Sequence, residues 1–547
     1  MTHAPYRVAY VIGLAACLLV PALPAAEWNM TRQRETAPGS GRFHRVDEVG
    51  NWDPRSTAII VCDMWDSHHG LNAARRVAEL APRIDAVLTA ARELGVTIIH
   101  APSGCMDFYA DHPARQRAKA VPKAAKLPAQ INQWCSRIPV EERAVYPIDQ
   151  SDGGEDDDPQ EHLQWAAQLK AQGRNPARPW QRQIATIAID EARDYISDQG
   201  DEIWSILRQR GIRQVVLCGV HTNMCVLGRP FGLRQMVRNH MPVVLIRDLT
   251  DTMYNPRRPP RVSHFSGTDL IIDYIERYIC PTISSTAFLP ESRPFRFRHD
   301  RRPHIAVVMA EDEYHTRETL TRFARRWLQR DYRVSLIYAD VEDRNQIPGL
   351  TRVRDVDLLI LSARRRVLPR EQLAWFRDYL GSGKPLIAIR TASHAFHLRK
   401  GDPPAGHLQW PTFDREILGG NYHDHYPNSI RATVELEPAA RTHPLLTGIE
   451  QTAFPAGGSL YKTSPLHPGT FLLARGRIQG EAPEPIAWTF VRADGGRTFY
   501  AALGHVKDFE QPAFRRLLLN AVRWSLGQSP AEKPIAATPL AKRNGTP

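Results

Sequence analysis

Cys225 is the side chain in this sequence best placed for covalent chemistry. It lies in the stretch Val215 to Arg229, VVLCGVHTNMCVLGR. Val215, Val216, Leu217 and Cys218 make a short apolar run fit for a buried strand, and Gly219 breaks it. Thr222, Asn223 and Met224 then lead into an expected helix that carries Cys225 in its first turn. Backbone N–H groups converge where a strand turns sharply into a helix, and the positive end of the helix dipole favours a thiolate. That geometry suits a nucleophile. A second chemical group, Asp63, closes the apolar run Ala58-Ile59-Ile60-Val61-Cys62 and so also stands at a strand end.

Other polar residues crowd the same ends. Asp66, His68 and His69 follow Asp63, and His100 ends a later run. Two readings stand for them: metal ligands, or a hydrogen-bonded polar loop. Asp248, Asp251, Tyr254 and His264 follow another run, where they either line a pocket or cap helices and turns. Trp65, His68, Thr222, Asn223, Asp248 and Tyr254 are the candidates for contacting a substrate around Cys225.

The elements that must hold these residues alternate along the chain. After a polar lead-in, strands are expected at 58–62, 96–99, 184–189, 214–218 and 243–246. Helices are expected at 75–94, 200–210, 225–238 and 270–278. Alternation of this kind gives a doubly wound, mostly parallel three-layer α/β/α sheet with ligands at the carboxyl ends of its strands. An insertion at about 112–180 carries a basic stretch and the acidic run 149–158, which reads as a solvated loop without calcium-loop spacing. Its length over the active face makes it a candidate lid. The arginine- and proline-rich segment 291–302 reads as a linker between a first domain at 55–290 and a second at 303–528. The second repeats the α/β scheme, with strands expected at 304–309, 334–338, 356–361 and 385–389 and a closing helix at 513–526. The tail 529–547 has the composition of a disordered segment.

With Asp63 at the end of the first run and Gly219-Val220-His221-Thr222-Asn223-Met224-Cys225-Val226 after a later one, the first domain resembles the isochorismatase-like cysteine hydrolases. That family hydrolyses amides such as nicotinamide and N-carbamoyl compounds. The resemblance implies Cys225 as nucleophile and Asp63 as the base that takes its proton. It also implies an oxyanion hole from the backbone N–H groups of His221 and Cys225 beside an unusual peptide bond. One member of the family set is missing: the segment Ile187 to Asp194, where its lysine belongs, has none. Asp190 or Glu191 there would raise the thiol pKa. Arg193, Lys119, Lys123 or Lys126 are the available substitutes.

The second domain, through GKPLIAIRTASHAF, the segment Phe413 to Tyr422 with His423 and His425, and GRTFYAALGH, resembles ThuA-like domains. These are associated with trehalose utilisation and share the class I glutamine amidotransferase fold. The amidotransferase nucleophile would fall near Arg390, where no cysteine stands, so glutaminase chemistry is excluded. A cleft holding His394, His423, His425 and His505, with Tyr422, Tyr426 and Trp488, is the expected site, suited to acid–base work, metal ligation or sugar binding.

Length and composition frame this. A chain of 547 residues with 42% hydrophobic and 24% charged residues fits two globular domains with tails. The net charge of +12 is scattered arginine without a concentrated basic face, so nucleic acid is not an expected partner. Arg7, the run VAYVIGLAACLLVPAL and Pro24-Ala25-Ala26 read as a secretory signal over 1–26, too short for a transmembrane helix. Export to the periplasm or beyond follows. The alternative is a lipid anchor on Cys17, since Leu14-Ala15-Ala16-Cys17 resembles a lipobox. No CxxC pair occurs among the cysteines. The expected ligand is a small molecule, carbohydrate-derived in one reading. No cofactor is expected, with a divalent metal left open, as is a homo-oligomer. Three readings remain: a cysteine hydrolase, a catalytically altered binding protein, and a metal-assisted enzyme using Asp66/His68 or His423/His425.

Overall fold

The run TAIIVC at Thr57–Cys62 is buried at every position, as a strand covered on both faces must be. This computed structural model describes residues 26–530. The first sheet is built in chain order from β1 (Ala26–Glu35), β2 (Phe43–Trp52), β3 (Thr57–Cys62), β4 (Thr97–Ala101), β5 (Tyr195–Ile196), β6 (Gln214–Val220), β7 (Val243–Asp251) and β8 (Thr282–Ile283). Spatially they run β2-β1-β8-β7-β6-β3-β4-β5. Strands β3 to β8 are parallel to one another, and β1–β2 is an antiparallel hairpin whose β1 pairs antiparallel with the β8 edge. The helices are α1 (Leu71–Glu93), α2 (Pro113–Ala120), α3 (Pro159–Ala171), α4 (Gly200–Gln209), α5 (Leu233–Arg238) and α6 (His264–Tyr278). Strand order reverses at β3/β6, so the ends of these two strands form the topological switch point where a ligand site belongs.

Four expectations need correction. Residues 184–189 are not a strand. The third parallel strand is the two-residue β5, while Gln183 and Ile184 bond to Trp65 and Met64 on the loop after β3. An apolar run can pack against a core as irregular chain when its N–H groups find other partners. The polar lead-in is the β1–β2 hairpin, anchored by Trp28, which packs at a tilt against Trp52 and Phe288. The helix expected over 225–238 is broken: a π-turn covers Thr222–Val226, Pro230 interrupts, and α5 starts only at Leu233. The acidic run is a solvated loop only in part: Ser151, Asp152, Gly153 and Asp158 are exposed, while Asp156 and Asp157 are held by the contacts below. The secretory signal, Cys17 and most of the tail lie outside the described residues. Among the described residues no helix is long and apolar enough to cross a membrane.

The second sheet takes β9 (His304–Ala310), β10 (Arg333–Tyr338), β11 (Leu358–Ala363), β12 (Leu386–Ile389), β13 (Thr433–Leu436), β14 (Ala453–Pro455), β15 (Thr470–Arg477), β16 (Glu484–Val491) and β17 (Arg497–Ala501). Their order is β10-β9-β11-β12-β17-β16-β15-β13-β14. The first five in that order are parallel and the remainder antiparallel. The hairpin β1–β2 bridges the two sheets: Arg42 pairs with Glu318 (3.1 Å) and Asp47 with Arg352 (2.9 Å).

Candidate active site

Position in the sheet sets the first requirement. Gly219, on β6, has φ +105°, and a Cβ there would lie 2.1 Å from the Cys62 carbonyl oxygen of β3. Only glycine lets the strand bearing the nucleophile run this close to the strand bearing Asp63. The Val220–His221 peptide bond that follows is cis. Thr222 and Asn223 then spend their polar atoms on holding the turn. The Thr222 hydroxyl reaches the Asp251 carbonyl (2.9 Å) and the Thr250 hydroxyl (2.6 Å). The Asn223 amide donates to the Met253 carbonyl (2.8 Å) and accepts the Met253 N–H (2.9 Å). Cys225, 9% exposed, sits on this turn, and the His221 backbone N–H points at its sulfur.

Asp63 meets it from β3. Its φ is +47°, and its carboxylate is fully buried. One oxygen accepts the Ser103 N–H (2.7 Å) and the other accepts the Arg229 Nε–H (3.0 Å), while the Cys225 thiol lies close enough to the same carboxylate to act on its ionisation. Burial and then Asp63 push the Cys225 thiol up; the Arg229 guanidinium and the His221 N–H pull it down. Burial likewise raises Asp63, against the pull of Arg229. A carboxylate held above its ordinary range is a better proton acceptor than an exposed one.

Arg229 is the group that sequence reasoning missed. It follows Cys225 by one turn, its N–H bonding the Cys225 carbonyl (3.0 Å), and its guanidinium is the positive charge that acts on the thiol. The proposed substitutes are elsewhere: Lys123 pairs with Asp201, Arg193 with Asp190, and Lys119 and Lys126 are exposed. Asp190 and Glu191 do not act on the thiol either. The i, i+4 spacing of Cys225 and Arg229 was the available signal.

The insertion packs along this site as a wall. Trp134 lies against Arg229 (5.8 Å) and Cys135 N–H bonds the Gly228 carbonyl (2.8 Å). Trp180 stacks on Trp65 (4.5 Å), whose indole N–H donates to the Ser103 carbonyl (3.1 Å). His68 packs edge-on to His221 (4.9 Å), and burial keeps both rings neutral, His221 falling to about 3. Two buried clusters pin this wall. Glu141 takes Arg234 (2.7 Å) and the Tyr274 hydroxyl (2.9 Å). Arg76 on α1 binds Asp251 at the end of β7 (2.7 Å) and, through two nitrogens, Asp156 of the acidic run (2.9 Å each). His264 joins Asp251 (2.9 Å) to Asp156 (3.2 Å).

Several candidates serve the fold instead. Asp248 accepts the Ser285 and Phe295 N–H groups, and the Tyr254 hydroxyl donates to the Arg258 carbonyl. His100 bridges Gln183 and Asp194. Asp66 holds Arg174 (2.8 Å) and the Gln181 N–H, and His68 Nδ1 accepts the Gly70 N–H (3.1 Å), so Asp66 and His68 do not form a ligand pair. Glu155, Asp157 and His162 do bring ligand-type atoms within 4.8 Å of one another, but Asp157 already accepts the first N–H groups of α1 from Leu71 and Asn72.

In the second domain the strand ends gather a second constellation. Arg390 follows β12 with φ +47°, in the elbow position, its guanidinium over Tyr314 (4.0 Å) and Tyr461 (4.7 Å) and bonded to the Ala502 carbonyl (2.8 Å). His394 is buried, stacks on Tyr422 (4.5 Å) and is held neutral by burial and by Arg365, at about 2. Asp414, buried with one oxygen on the Tyr422 N–H (2.7 Å), is pushed up to about 7 by burial. His505 lies 6.0 Å from Tyr314 between ring centroids, and His425 lies 6.5 Å from Tyr461. His423 is exposed on Asn421, and Trp488 is a core residue donating to the Leu418 carbonyl (2.7 Å).

Each part of the chain that carries this geometry resembles a known family. Residues 57–258 match the family described as Isochorismatase domain, and residues 305–525 match ThuA, described as trehalose utilisation. The comparison with curated proteins gave no match. Among solved structures, a putative ThuA-like protein from Bacteroides uniformis ATCC 8492 is similar at 15% identity and TM-score 0.31, over 43% of this chain and 98% of that one. A cysteine hydrolase from Pseudomonas syringae pv. phaseolicola 1448A is similar at 17% identity and TM-score 0.26, over 44% of this chain and 94% of that one.

Proposed function

Because the chain joins an isochorismatase-like hydrolase domain to a ThuA-like domain, we propose that it is an exported cysteine hydrolase of small amide-like substrates. The observation that carries this reading is the contact set of Asp63, which takes the Cys225 thiol and the Arg229 guanidinium on one buried carboxylate. Asp63 accepts the thiol proton as the sulfur attacks the carbonyl carbon. The oxyanion that forms is met by the backbone N–H groups of His221 and Cys225, each such donor being worth about 3 kcal/mol in a transition state. Protonated Asp63 then gives its proton to the leaving amine, and water, deprotonated by the same carboxylate, hydrolyses the thioester. Arg229 holds Asp63 in place and offsets the negative charge on sulfur. The second domain holds the carbohydrate part of the substrate, a role supported by the aromatic rings of Tyr422 and Tyr461 beside His394 and of Tyr314 beside Arg390. Export is supported by the residues of the 1–26 segment.

The test is the pH profile of Cys225 alkylation by iodoacetamide, read by peptide mass spectrometry. Arg229→Gln removes the cation that pulls the thiol down, so the midpoint should rise by about one unit or more and the rate at pH 7 should fall about tenfold. Arg229→Lys should restore most of it. Asp63→Asn removes a charge that pushes the thiol up, so its midpoint should fall even though turnover drops. A midpoint unmoved by Arg229→Gln sinks the role given to that residue.

A further inference from the structure

A cavity of about 910 Å³ lies between the two domains, away from Cys225 and from the His394 constellation. Its walls come from the β1–β2 hairpin, the insertion and α6 on one side, and from the segment around Arg325 and the edge strand β10 on the other. Five arginines line it (Arg45, Arg143, Arg277, Arg325 and Arg352) against two carboxylates, Glu35 and Asp273. Three of the five are answered within the protein. Arg45 binds Glu276 (2.7 Å), Arg277 binds Asp273 (3.2 Å) and Arg352 binds Asp47 (2.9 Å). Glu35 is itself spent on the Gly39 and Gly41 N–H groups.

Arg143 and Arg325 have no carboxylate partner among the described residues. They come from different domains. Arg325 is half-buried, and burial is the main cost of keeping it charged there; Arg277 and Arg42 add to that cost, and the more distant charge of Asp273, which forms no ion pair with it, offsets only part. An unanswered guanidinium in a half-buried site is costly unless an anion supplies the missing bonds. The cavity also offers flat apolar surface from Tyr274 and Tyr278. As β10 is the edge of its sheet, it presents backbone N–H groups that no neighbouring strand takes. Size, aromatic surface and a few convergent donors at a domain boundary are the features of a small-molecule site.

We propose that this interdomain cleft binds a small organic anion, a carboxylate- or phosphate-bearing molecule whose charge is taken by Arg325 and Arg143 and whose body rests on Tyr274 and Tyr278. A ligand held by both arginines ties the two domains together. The site is independent of the hydrolase reading, and its failure leaves that reading untouched.

The experiment is calorimetric titration of the full-length protein at low ionic strength. Phenyl phosphate and phthalate are the two anionic arms, and benzyl alcohol is the uncharged control. Saturable binding of at least one anion, one per chain, is expected, with benzyl alcohol weaker by about tenfold or more. Arg325→Gln and Arg143→Gln should each weaken the bound anion about tenfold, while Arg208→Gln, at an exposed position near the end of α4, should not change it. Arg143 is exposed, so its variant carries the test if Arg325→Gln does not fold. No saturable binding of either anion, equal binding of benzyl alcohol, or full affinity in the arginine variants overturns the proposal.

Discussion

Cys225→Ser should lower hydrolysis of small primary amides and activated esters by about 10⁴-fold or more, with the fold intact. The substitution exchanges sulfur for a smaller oxygen inside a turn held by Thr222, Asn223 and the strand ends, so little packing changes. What changes is the proton. Asp63 lies within reach of the thiol and is raised by burial, but a hydroxyl holds its proton far more tightly than a thiol does. Asp63→Asn should cost less, about 10²- to 10⁴-fold, the usual range for loss of a general base. Far-UV spectra and urea midpoints check that both variants fold. Turnover of Cys225→Ser within tenfold of the parent would move the chemistry to another residue.

Arg76→Leu should destabilise the first domain by about 3–5 kcal/mol, read as a lower urea midpoint. The guanidinium serves two buried carboxylates, Asp251 and Asp156, from α1. Asp251 ends β7 beside Val220, so the same cluster that pins the acidic run also steadies the turn before Cys225. Without Arg76, only His264 remains to answer two negative charges. The cluster also sets a pH window. Burial opposes ionisation of both carboxylates, but His264 and Arg76 outweigh it and hold them below 3.8, Asp156 at about 2. Stability from these groups is present above their unfolded values and is lost as pH falls from about 5 towards 2. His264 is shifted the other way. Burial lowers it, yet Asp251 and Asp156 raise it above 6.5, so its contribution is full below that value and lost as pH rises through its folded value. Urea midpoints should therefore be highest between these limits. A loss below about 1 kcal/mol in Arg76→Leu would show that the cluster is not what holds the wall.

The alternating architecture was legible because buried parallel strands such as Thr57–Cys62 are written as unbroken apolar runs. Residues 184–189 have the same composition and are not a strand. Composition does not say whether a run pairs with a sheet edge or lies on the core through bonds to Met64 and Trp65. Asp63 and Cys225 could be singled out as chain positions. Their contact joins residues just beyond the ends of two strands, and Arg229 meets Asp63 from 166 positions away. The acidic run looked solvated because its partners, Arg76 and His264, are far off in sequence. Asp248 and Tyr254 looked functional for the converse reason: loop polarity does not reveal that Ser285 and Arg258 already occupy them.

The central claim is that Cys225 becomes acylated, and acid-quenched mass spectrometry tests it most directly. The protein is mixed with p-nitrophenyl acetate, quenched within the first turnovers, and mapped by peptide. An acetyl group on Cys225 in the parent, absent in Cys225→Ser, is the result expected. Turnover with no adduct on Cys225, or an adduct on another cysteine that persists at the same rate in Cys225→Ser, would contradict it.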